Sequence, residues 1–353
     1  MSSSDMSTST IRVYRVGEVA FALELRSPWI PMEYTEPVRK RIALAAAGDV
    51  LPVLPVRAGD KVPFRTFVQG RGELIPDIDA NMLDLSMLEP FFIGQEADVT
   101  FRLVIHAPES EPFDAGAGEG LIMDVKDSQP YFKVYRRPEG TWFEVSTESS
   151  PSLGRLLVSN DSTVGDYYPE PGMTAYKVTY MMDVLLRMMF SYNSPAHSVL
   201  LMHSSVVSLD GEAVMFLGPS GTGKSTHSRL WLENIPGTTL VNDDNPVVRL
   251  EDGKLFVYGT PWSGKTPCYR NVRVPVKAIV CLRQAPLNSI SRLNGIYAYA
   301  GFVSAVSSVR WERRIMDALT PVASGIATSV PIYSMGCRPD AEAARVCRDG
   351  VWK

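Results

Sequence analysis

The sequence predicts a chain of two parts, a mostly β N-terminal region and a C-terminal α/β region with a phosphate-binding loop. Short β-like runs separated by Pro, Gly and Asp fill residues 11 to 170. Strands and helices alternate from residue 171 to 353, and the glycine-rich "GPSGTGKS" falls between an apolar run and a helix-like run. The length of 353 residues also exceeds the size at which single hydrophobic cores stop growing.

The N-terminal region is defined by β-like runs that we expect to form a mainly antiparallel sheet. They are "IRVYRV", "VAFALEL", "VTFRLVIH", "GLIMDV", "YFKVYRR", "TWFEVS" and "GRLLVS". A proline-rich segment with one short helix-like run interrupts them at 26 to 56, and "APESEPFDAGAGEG" at 107 to 120 predicts an exposed loop. The polar residues 1 to 10, "MSSSDMSTST", predict a disordered tail.

The C-terminal region begins with a helix-like stretch at about 174 to 192 whose apolar side chains recur on one face. Two β runs then flank the turn "LDG" in "SVLLMHSSVVSLDGEAVMFLG", and "TTLVNDDN", "LFVYGTP" and "VKAIVCLRQ" follow. Farther on, "VRWERRIMDAL" at 309 to 319 predicts an amphipathic helix and "SVPIYSM" a late strand.

Composition excludes several classes of function. The net charge of −4 gives no reason to expect a nucleic acid or an anionic membrane as a partner. The apolar run "MMDVLLRMMF" is too short to span a bilayer, and the N-terminal residues lack the apolar stretch of a secretory signal. The four cysteines show no C-x-x-C pair, which indicates reduced thiols. We therefore expect a cytoplasmic protein, and the sequence leaves a homo-oligomer open.

The stretch from Gly218 to Ser225 matches the pattern G-x-x-x-x-G-K-[ST]. Glycines allow backbone N–H groups to converge on phosphate oxygens, and the following helix N-terminus adds positive potential. In such loops the lysine, here Lys224, contacts the β- and γ-phosphates, and the hydroxyl, here Ser225, contacts Mg²⁺. The predicted nucleotide-binding residues of this loop are Gly218, Pro219, Ser220, Gly221, Thr222, Gly223, Lys224, Ser225 and Thr226.

Two adjacent aspartates follow the loop at the end of the β run "TTLVNDDN". Asp243 comes 19 residues after Lys224, and Asp244 is next to it. At a strand end that faces a phosphate loop, one carboxylate can hold Mg²⁺ while its neighbour accepts a proton from an attacking hydroxyl. The alternative is an Asx-turn that only caps the strand. We expect Asp243, Asp244 and Ser225 to be the magnesium ligands.

His203 lies 15 residues before Gly218, in the apolar run "LLMHSSVV". A β-hairpin through "LDG" would bring the strand that carries it next to the strand leading into the loop. His203 could then reach a phosphate or an aspartate, whereas a lone histidine in an apolar run is more often a satisfied core residue. We count His203 with Asp243 and Lys224 as candidate catalytic residues.

The segment "YGTPWSGKTPCYRNVRVP" at 258 to 275 carries cationic side chains between prolines and glycines. Lys265 and Arg270, which we add to the predicted nucleotide-binding residues, could surround the transferring phosphoryl oxygens, as could Arg273. A solvated basic surface is the alternative. Trp262 is either a stacking platform for a ligand or a buried core residue.

Together, His203, "GPSGTGKS" and "VNDDN" resemble the HPr kinase/phosphorylase family and, more distantly, ATP-dependent phosphoenolpyruvate carboxykinase. The resemblance covers about residues 200 to 285. It implies a compact P-loop domain with a mixed, strongly curved sheet, ATP and Mg²⁺ as ligands, Asp243 as the base, and His203 beside the transfer site. Residues 258 to 275 depart from the acidic HPr kinase signature and are closer to a carboxykinase "WSGG" loop. They resemble HPr-kinase-like proteins without an assigned substrate.

These observations predict an ATP- and Mg²⁺-dependent kinase that phosphorylates a hydroxyl on a protein, a peptide or a small metabolite. The related kinases also run phosphorolysis, so the reverse reaction is allowed. A non-catalytic ATP sensor is a second hypothesis, although a sensor has no need of a base beside a metal ligand. A carboxykinase is a third, which the short chain disfavours.

Overall fold

A computed structural model of the chain describes residues 9–34, 36–47, 81–108, 110, 120–126, 129–264 and 266–352. Most of the predicted tail at 1 to 10 and most of the predicted loop at 107 to 120 lie outside the described residues. Lys265 lies outside them as well.

The N-terminal part of the described chain forms a nine-stranded sheet in the order β5-β1-β2-β6-β11-β10-β9-β8-β7. Its strands are β1 (Ser9–Val16), β2 (Val19–Arg26), β5 (Phe92–Gly94), β6 (Phe101–Ile105), β7 (Leu121–Val125), β8 (Tyr131–Arg137), β9 (Gly140–Thr147), β10 (Ser150–Ser159) and β11 (Val164–Tyr168). Two short strands, β3 (Ile30–Pro31) and β4 (Met82–Leu83), pair outside it. The prediction of a mostly β N-terminal region is confirmed.

This first sheet is mainly antiparallel, but its centre is not. β6 pairs in parallel with β2 on one side and with β11 on the other. Because β2 and β6 are far apart in sequence, no tight hairpin joins them, and parallel pairing needs a long connection of this kind. Helix α1 (Glu36–Ala47) lies in that connection and corresponds to the short helix predicted there.

The C-terminal part forms a second sheet in the order β12-β16-β17-β18-β14-β13-β15, with β20 pairing to β18 and β19 to β20. Its strands are β12 (Val199–Leu201), β13 (Ser204–Leu209), β14 (Glu212–Leu217), β15 (Thr239–Asp244), β16 (Val247–Glu251), β17 (Lys254–Tyr258), β18 (Arg273–Gln284), β19 (Ser289–Leu293) and β20 (Ile332–Cys337). It contains both parallel and antiparallel pairs, since β14 pairs in parallel with β18 and antiparallel with β13. The predicted mixed sheet is therefore present.

The remaining helices belong to the C-terminal half of the sequence. They are α2 (Ala175–Asn193), α3 (Lys224–Asn234), α4 (Gly295–Val303), α5 (Arg313–Ser329) and α6 (Ala341–Val351). Thr174 caps the N-terminus of α2 by accepting a hydrogen bond from Lys177 N. Helix α5 begins four residues after the predicted start at 309 and ends ten residues after the predicted end at 319. Pro321 lies inside the helix and does not end it.

Helix α2 joins the two sheets through one hydrophobic core. Its apolar face, with Leu185 and Phe190 among others, packs against residues of the first sheet such as Phe21 and Phe101. The same core contains Val247 and Trp262 of the second half. Because fully buried aromatic and aliphatic side chains each stabilise a fold by about 1.5 to 3 kcal/mol, the two halves stabilise each other across this helix.

Among the described residues, no helix is both long enough and apolar enough to cross a membrane.

Candidate functional site

One edge of the second sheet collects the residues predicted from sequence. β14 ends at Leu217, directly before the glycine-rich loop, and β15 ends at Asp244. β13 lies between them and runs the other way, so its first residue, Ser204, is paired with both Leu217 and Asp244. Two strand spacings put the loop and the aspartates about 10 Å apart. Ligands of α/β sheets bind at such a carboxyl edge.

The loop from residue 218 to 223 has the backbone geometry that its glycines allow. Gly221 has a φ of 80° and Gly223 a φ of 105°, and these values are strained for residues with a Cβ. Gly223 is the N-cap of α3, which starts at Lys224. The N–H groups of the first turn of α3 therefore have no intrahelical partner and are available to an anion, whereas Thr222 N in the loop donates to Pro219 O at 3.2 Å.

Lys224 lies at the inner side of this loop. Its Nζ donates hydrogen bonds of 2.9 Å to Gly218 O and 3.4 Å to Pro219 O, and the residue is 8% exposed. Burial lowers the pKa of Lys224, whereas Asp244 and Asp243 oppose this change by favouring the charged form. The ammonium group is thus held between the loop carbonyls and the aspartates. Ser225 is exposed on the first turn of α3 and Thr226 is half-buried.

The two aspartates have different environments. Asp243 is 3% exposed, and no hydrogen-bond partner is present for its buried Oδ1 within the described part of the chain. Asp244 is half-buried and accepts a hydrogen bond of 2.8 Å from Asn245 Nδ2. A buried carboxylate oxygen without a partner is costly, so the open oxygen of Asp243 marks a position where a proton donor or a cation can bind.

A polar network holds the aspartates in place. Thr260 Oγ1 accepts a hydrogen bond from Asn242 Nδ2 at 3.1 Å and donates one to Asn245 O at 2.7 Å. Asn242 Oδ1 in turn accepts from Asn245 N at 3.0 Å. Asn242 and Thr260 are fully buried. Because each polar group in the network is satisfied, the turn after β15 is rigid.

His203 directly precedes β13 and lies beside the aspartates. Its Nε2 is 3.5 Å from Asp244 Oδ1, and its backbone N–H donates to Ala305 O at 2.7 Å. Burial and the charge of Lys224 lower the pKa of His203, and Asp244 opposes this change. The imidazole is therefore neutral near pH 7. The hairpin predicted from "LDG" brings His203 beside the loop, because Ser204 pairs with Leu217, and the pairing of Ser204 with Asp244 brings it beside the aspartates.

A cavity of about 620 Å³ opens on the other side of the loop. It lies between the loop, α3, and the ends of β18 and β20. Its lining residues include Thr222, Thr226, His227, Leu230, Gln284, Pro286, Cys337, Arg338 and Pro339. Gln284 Nε2 donates to Gly221 O at 3.3 Å, which ties the cavity to the loop. The volume is within the usual range of small-molecule sites.

His227 forms the floor of this cavity and is 2% exposed. Trp231 Nε1 donates to His227 Nε2 at 3.3 Å, and the imidazole lies edge-to-face with Phe216, 4.7 Å between centroids. Burial lowers the pKa of His227 to about 4. The contacts of His227 are those of a packing residue.

The arginines of the segment 258 to 275 do not lie beside the glycine-rich loop. Arg270 Nη1 donates to Leu240 O at 2.6 Å, near the start of β15, and this is the opposite end of the strand from Asp244. The placement does not bring Arg270 to the glycine-rich loop. Arg273 pairs with Glu251 at 2.5 Å. Trp262 is 2% exposed and stacks in the core, so it is a buried core residue.

Several residues of the site were not identified from the sequence. Gly264 N donates to Asp243 O at 2.6 Å, and Asn242, Asn245 and Thr260 form the network beneath the aspartates. The asparagines that flank the aspartates in "NDDN" were the available signal. Nothing in the local sequence indicates that Thr260 reaches them from the segment after β17.

No protein-family model matches the chain, and no curated protein matches it. Among solved structures, the Hpr(Ser) kinase/phosphatase from Coxiella burnetii is similar to part of the chain. The sequence identity is 13% and the TM-score is 0.25, over 42% of this chain and 89% of that chain. This is a distant likeness in fold, so the functional proposal below depends on the geometry of the site.

Proposed function

We propose that the protein is an ATP- and Mg²⁺-dependent kinase that transfers the γ-phosphoryl group to a hydroxyl of a protein, a peptide or a small metabolite. The observation that carries the proposal is the position of Asp243. Its buried Oδ1 has no hydrogen-bond partner among the described residues, and it lies two strands away from a loop with the G-x-x-x-x-G-K-[ST] pattern.

The nucleotide fits the loop and the cavity together. Lys224 and the N–H groups of the loop provide positive potential for the phosphates. The cavity of about 620 Å³ adjoins the loop and offers apolar surface from Leu230 and Pro286, with the polar ends of Gln284 and Arg338. A nucleoside needs this combination of apolar wall and few polar groups. The cavity and Asp243 lie on opposite sides of β14, because β18 and β13 flank that strand.

The donor set also fits Mg²⁺. In the described ranges no three His, Cys, Asp or Glu side chains converge on one point. Mg²⁺ bound with nucleotide phosphates needs only one or two carboxylates, because phosphate and water oxygens complete its shell. Asp243, Asp244 and the hydroxyl of Ser225 would hold it, and the ion would neutralise charge on the phosphates.

The chain's own residues would divide the reaction as follows. Asp243 accepts the proton of the acceptor hydroxyl as the hydroxyl oxygen attacks the γ-phosphorus, and the bond to the β,γ-bridging oxygen breaks to release ADP. Lys224 and the loop N–H groups stabilise the charge that develops on the phosphoryl oxygens. Neutral His203, next to Asp244, can donate or accept a hydrogen bond at the same edge.

The experiment is phosphoryl transfer from γ-labelled ATP in the presence of Mg²⁺ and an extract of the native host. Wild-type protein is compared with Lys224→Ala and Asp243→Asn. The matched controls are Lys277→Ala and Asp252→Asn. Lys277 forms an ion pair of 2.9 Å with Glu212, outside the loop, and Asp252 lies in an exposed turn. Macromolecules and small metabolites are separated before counting.

We expect label with wild type and both controls, and none with Lys224→Ala or Asp243→Asn. Asp243→Asn should keep most of its affinity for ATP, because Lys224, the loop N–H groups and the other two Mg²⁺ ligands, Asp244 and Ser225, remain. The labelled fraction identifies the acceptor as a macromolecule or a metabolite. Transfer that survives in Asp243→Asn would remove Asp243 from the role of base. Tight ATP binding without any transfer would support a nucleotide sensor instead.

A further inference from the structure

Helix α2 carries an ion pair on its otherwise apolar length. Asp183 Oδ2 lies 3.1 Å from Arg187 Nη2, one helical turn away, and the two side chains are 20% and 30% exposed. Asp183 and Arg187 lie on the same side of α2 as Tyr180, which is 40% exposed. The opposite face of α2 packs in the core between the sheets. The pair is therefore at the surface of the helix but not in full contact with solvent.

Neither partner uses all of its polar atoms. Within the part of the chain that the structure describes, Asp183 Oδ1 and Arg187 Nε are buried and make no hydrogen bond. Buried polar groups almost always have a partner, because leaving one unsatisfied costs about 1 to 3 kcal/mol. The ion pair therefore has one open acceptor and one open donor, which indicates a place for a polar ligand.

A chain of contacts fixes α2 relative to the candidate catalytic edge. The ring of Phe190, three residues after Arg187, lies 5.1 Å from the indole of Trp262. Trp262 O accepts a hydrogen bond of 3.2 Å from Asn245 N. Asn245 Nδ2 then donates to Asp244 Oδ2 at 2.8 Å. Helix α2, which carries the ion pair, is therefore connected to the aspartates through packed and hydrogen-bonded residues.

The charge of Asp244 also acts on Asp183. Burial raises the pKa of Asp183, the nearby guanidinium of Arg187 opposes the rise, and the carboxylate of Asp244 adds to it. Two carboxyl groups influence each other in this way when they share one poorly solvated region. Asp244 is on β15, and the cavity that fits a nucleoside is at the ends of β18 and β20. Asp183 is therefore close enough to Asp244 for their charges to interact, and Asp244 is at the end of the site where the acceptor would bind.

We infer that Asp183 and Arg187 form a subsite for an anionic group of the phosphoacceptor. Arg187 contacts that anionic group. Asp183 positions the guanidinium of Arg187 and competes with the anion for its N–H donors. A guanidinium with one carboxylate partner still offers N–H donors in a planar fork that fits a carboxylate or a phosphate ester. The acceptor is then a hydroxyl compound or segment with such an anion near the reacting hydroxyl. This inference rests on the proposed kinase function.

The test measures anion binding to protein saturated with Mg²⁺ and the non-hydrolysable analogue AMP-PNP, so that the glycine-rich loop is filled. Inorganic phosphate and acetate are the two probes, and they separate a phosphate-ester preference from a carboxylate preference. Calorimetric titration gives each Kd for wild type, Arg187→Gln and Asp183→Asn. The control is Arg155→Gln, which removes an arginine that lies 4.0 Å from Glu144 on the first sheet. Circular dichroism and AMP-PNP affinity report on folding.

We expect Arg187→Gln to weaken binding of the preferred anion at least about tenfold. Asp183→Asn should strengthen it several-fold, because the competing carboxylate is lost. A purely structural ion pair would instead give weaker binding in both variants. Arg155→Gln should behave as wild type.

Equal anion affinity in wild type and Arg187→Gln would overturn the inference, as would an AMP-PNP-loaded wild type that binds neither probe. In both cases AMP-PNP binding leaves the kinase proposal standing. Failure of wild type to bind AMP-PNP would overturn the kinase proposal and this inference together.

Discussion

The backbone of Gly264 closes directly over Asp243, with Gly264 N donating to Asp243 O at 2.6 Å. A Cβ at position 264 would lie 2.6 Å from Asp243 O, closer than real Cβ contacts allow, and in a tight contact of 3.1 Å with Asp244 Cβ. We therefore expect Gly264→Ala to displace the aspartates. Unfolding should become easier by about 1 to 3 kcal/mol, and phosphoryl transfer should fall far more than ATP affinity, as measured by urea denaturation and steady-state kinetics.

Gly325→Ala is the matched control for this substitution. Its Cβ would also be close to a neighbour, at 2.8 Å from Leu250 Cδ2, but that methyl group is the end of a flexible side chain and can move. We expect little change in transfer. A Gly264→Ala protein with wild-type kinetics would show that the close approach over Asp243 is not needed.

His227 should make the free energy of unfolding depend on pH. Burial lowers its pKa in the folded state to about 4, whereas the unfolded value is about 6.5. The unfolded chain therefore binds a proton between these values that the folded protein does not. This contribution to stability is fully present above about pH 6.5 and is lost as pH falls toward 4. At pH 5 the loss is about 2 kcal/mol.

His227→Gln should flatten this dependence, because glutamine keeps an acceptor for Trp231 but does not titrate in this range. The measurement is the free energy of unfolding in urea at pH 7 and pH 5. His197→Gln, at an exposed position, should leave the pH dependence as in wild type. The idea fails if His227→Gln and wild type lose the same stability between the two pH values.

Cys337 should report on nucleotide binding, because it lines the cavity next to the glycine-rich loop. Burial and the nearby Asp340 raise its pKa, so alkylation by a maleimide should be slow and should increase with pH. Saturating Mg²⁺ and ATP should slow it further, at least about fivefold, if the nucleoside fills the cavity. Mass spectrometry of the labelled peptides gives the rate at each cysteine.

Cys281 serves as the internal control for that measurement. It is half-buried in β18 and does not line the cavity, so ATP should leave its labelling rate unchanged. Equal rates at Cys337 with and without ATP would place the nucleoside elsewhere.

Phe190 connects stability with the site. Its ring contacts Phe21, Phe101 and Trp262 at centroid distances of 6.4, 6.4 and 5.1 Å. Phe190→Ala should cost about 3 to 5 kcal/mol of unfolding free energy. It should also reduce transfer, because Trp262 O holds Asn245 N beside the aspartates. Phe190→Leu should recover most of the lost unfolding free energy and most of the lost transfer. Urea denaturation and kinetic assays of the same variants measure the two quantities. Full activity in a folded Phe190→Ala protein would disconnect the core from the site.

Patterns within a continuous stretch predicted much of the structure. The hairpin of β13 and β14, the start of α3 after Gly223, and the end of β15 at Asp244 follow from local turn signals, glycine placement and apolar runs. The hairpin places His203 beside the loop, whereas its position near the aspartates also depends on the pairing of β13 with β15. The relation of β2 to β6, which are parallel neighbours separated by a long connection, has no local signal.

Side chains that come from distant segments were the hardest to predict. Thr260 reaches Asn242 from the segment after β17, and Asp183 is affected by Asp244 from a helix that packs on the other sheet. Arg270, in contrast, was predicted to belong to the site but lies away from the glycine-rich loop. Its charge suggested phosphate binding, but pairing with Leu240 O directs it to the far end of β15. Charge alone does not determine which end of a strand a side chain reaches.

The cavity at β18 and β20 and the aspartates on β15 flank the loop of β14 from two sides. Two ligands placed in this way need not pass each other to enter or to leave. The arrangement favours a ternary complex, with initial-velocity lines that intersect when both concentrations are varied, and it gives no role to a phosphorylated form of the protein between two half-reactions.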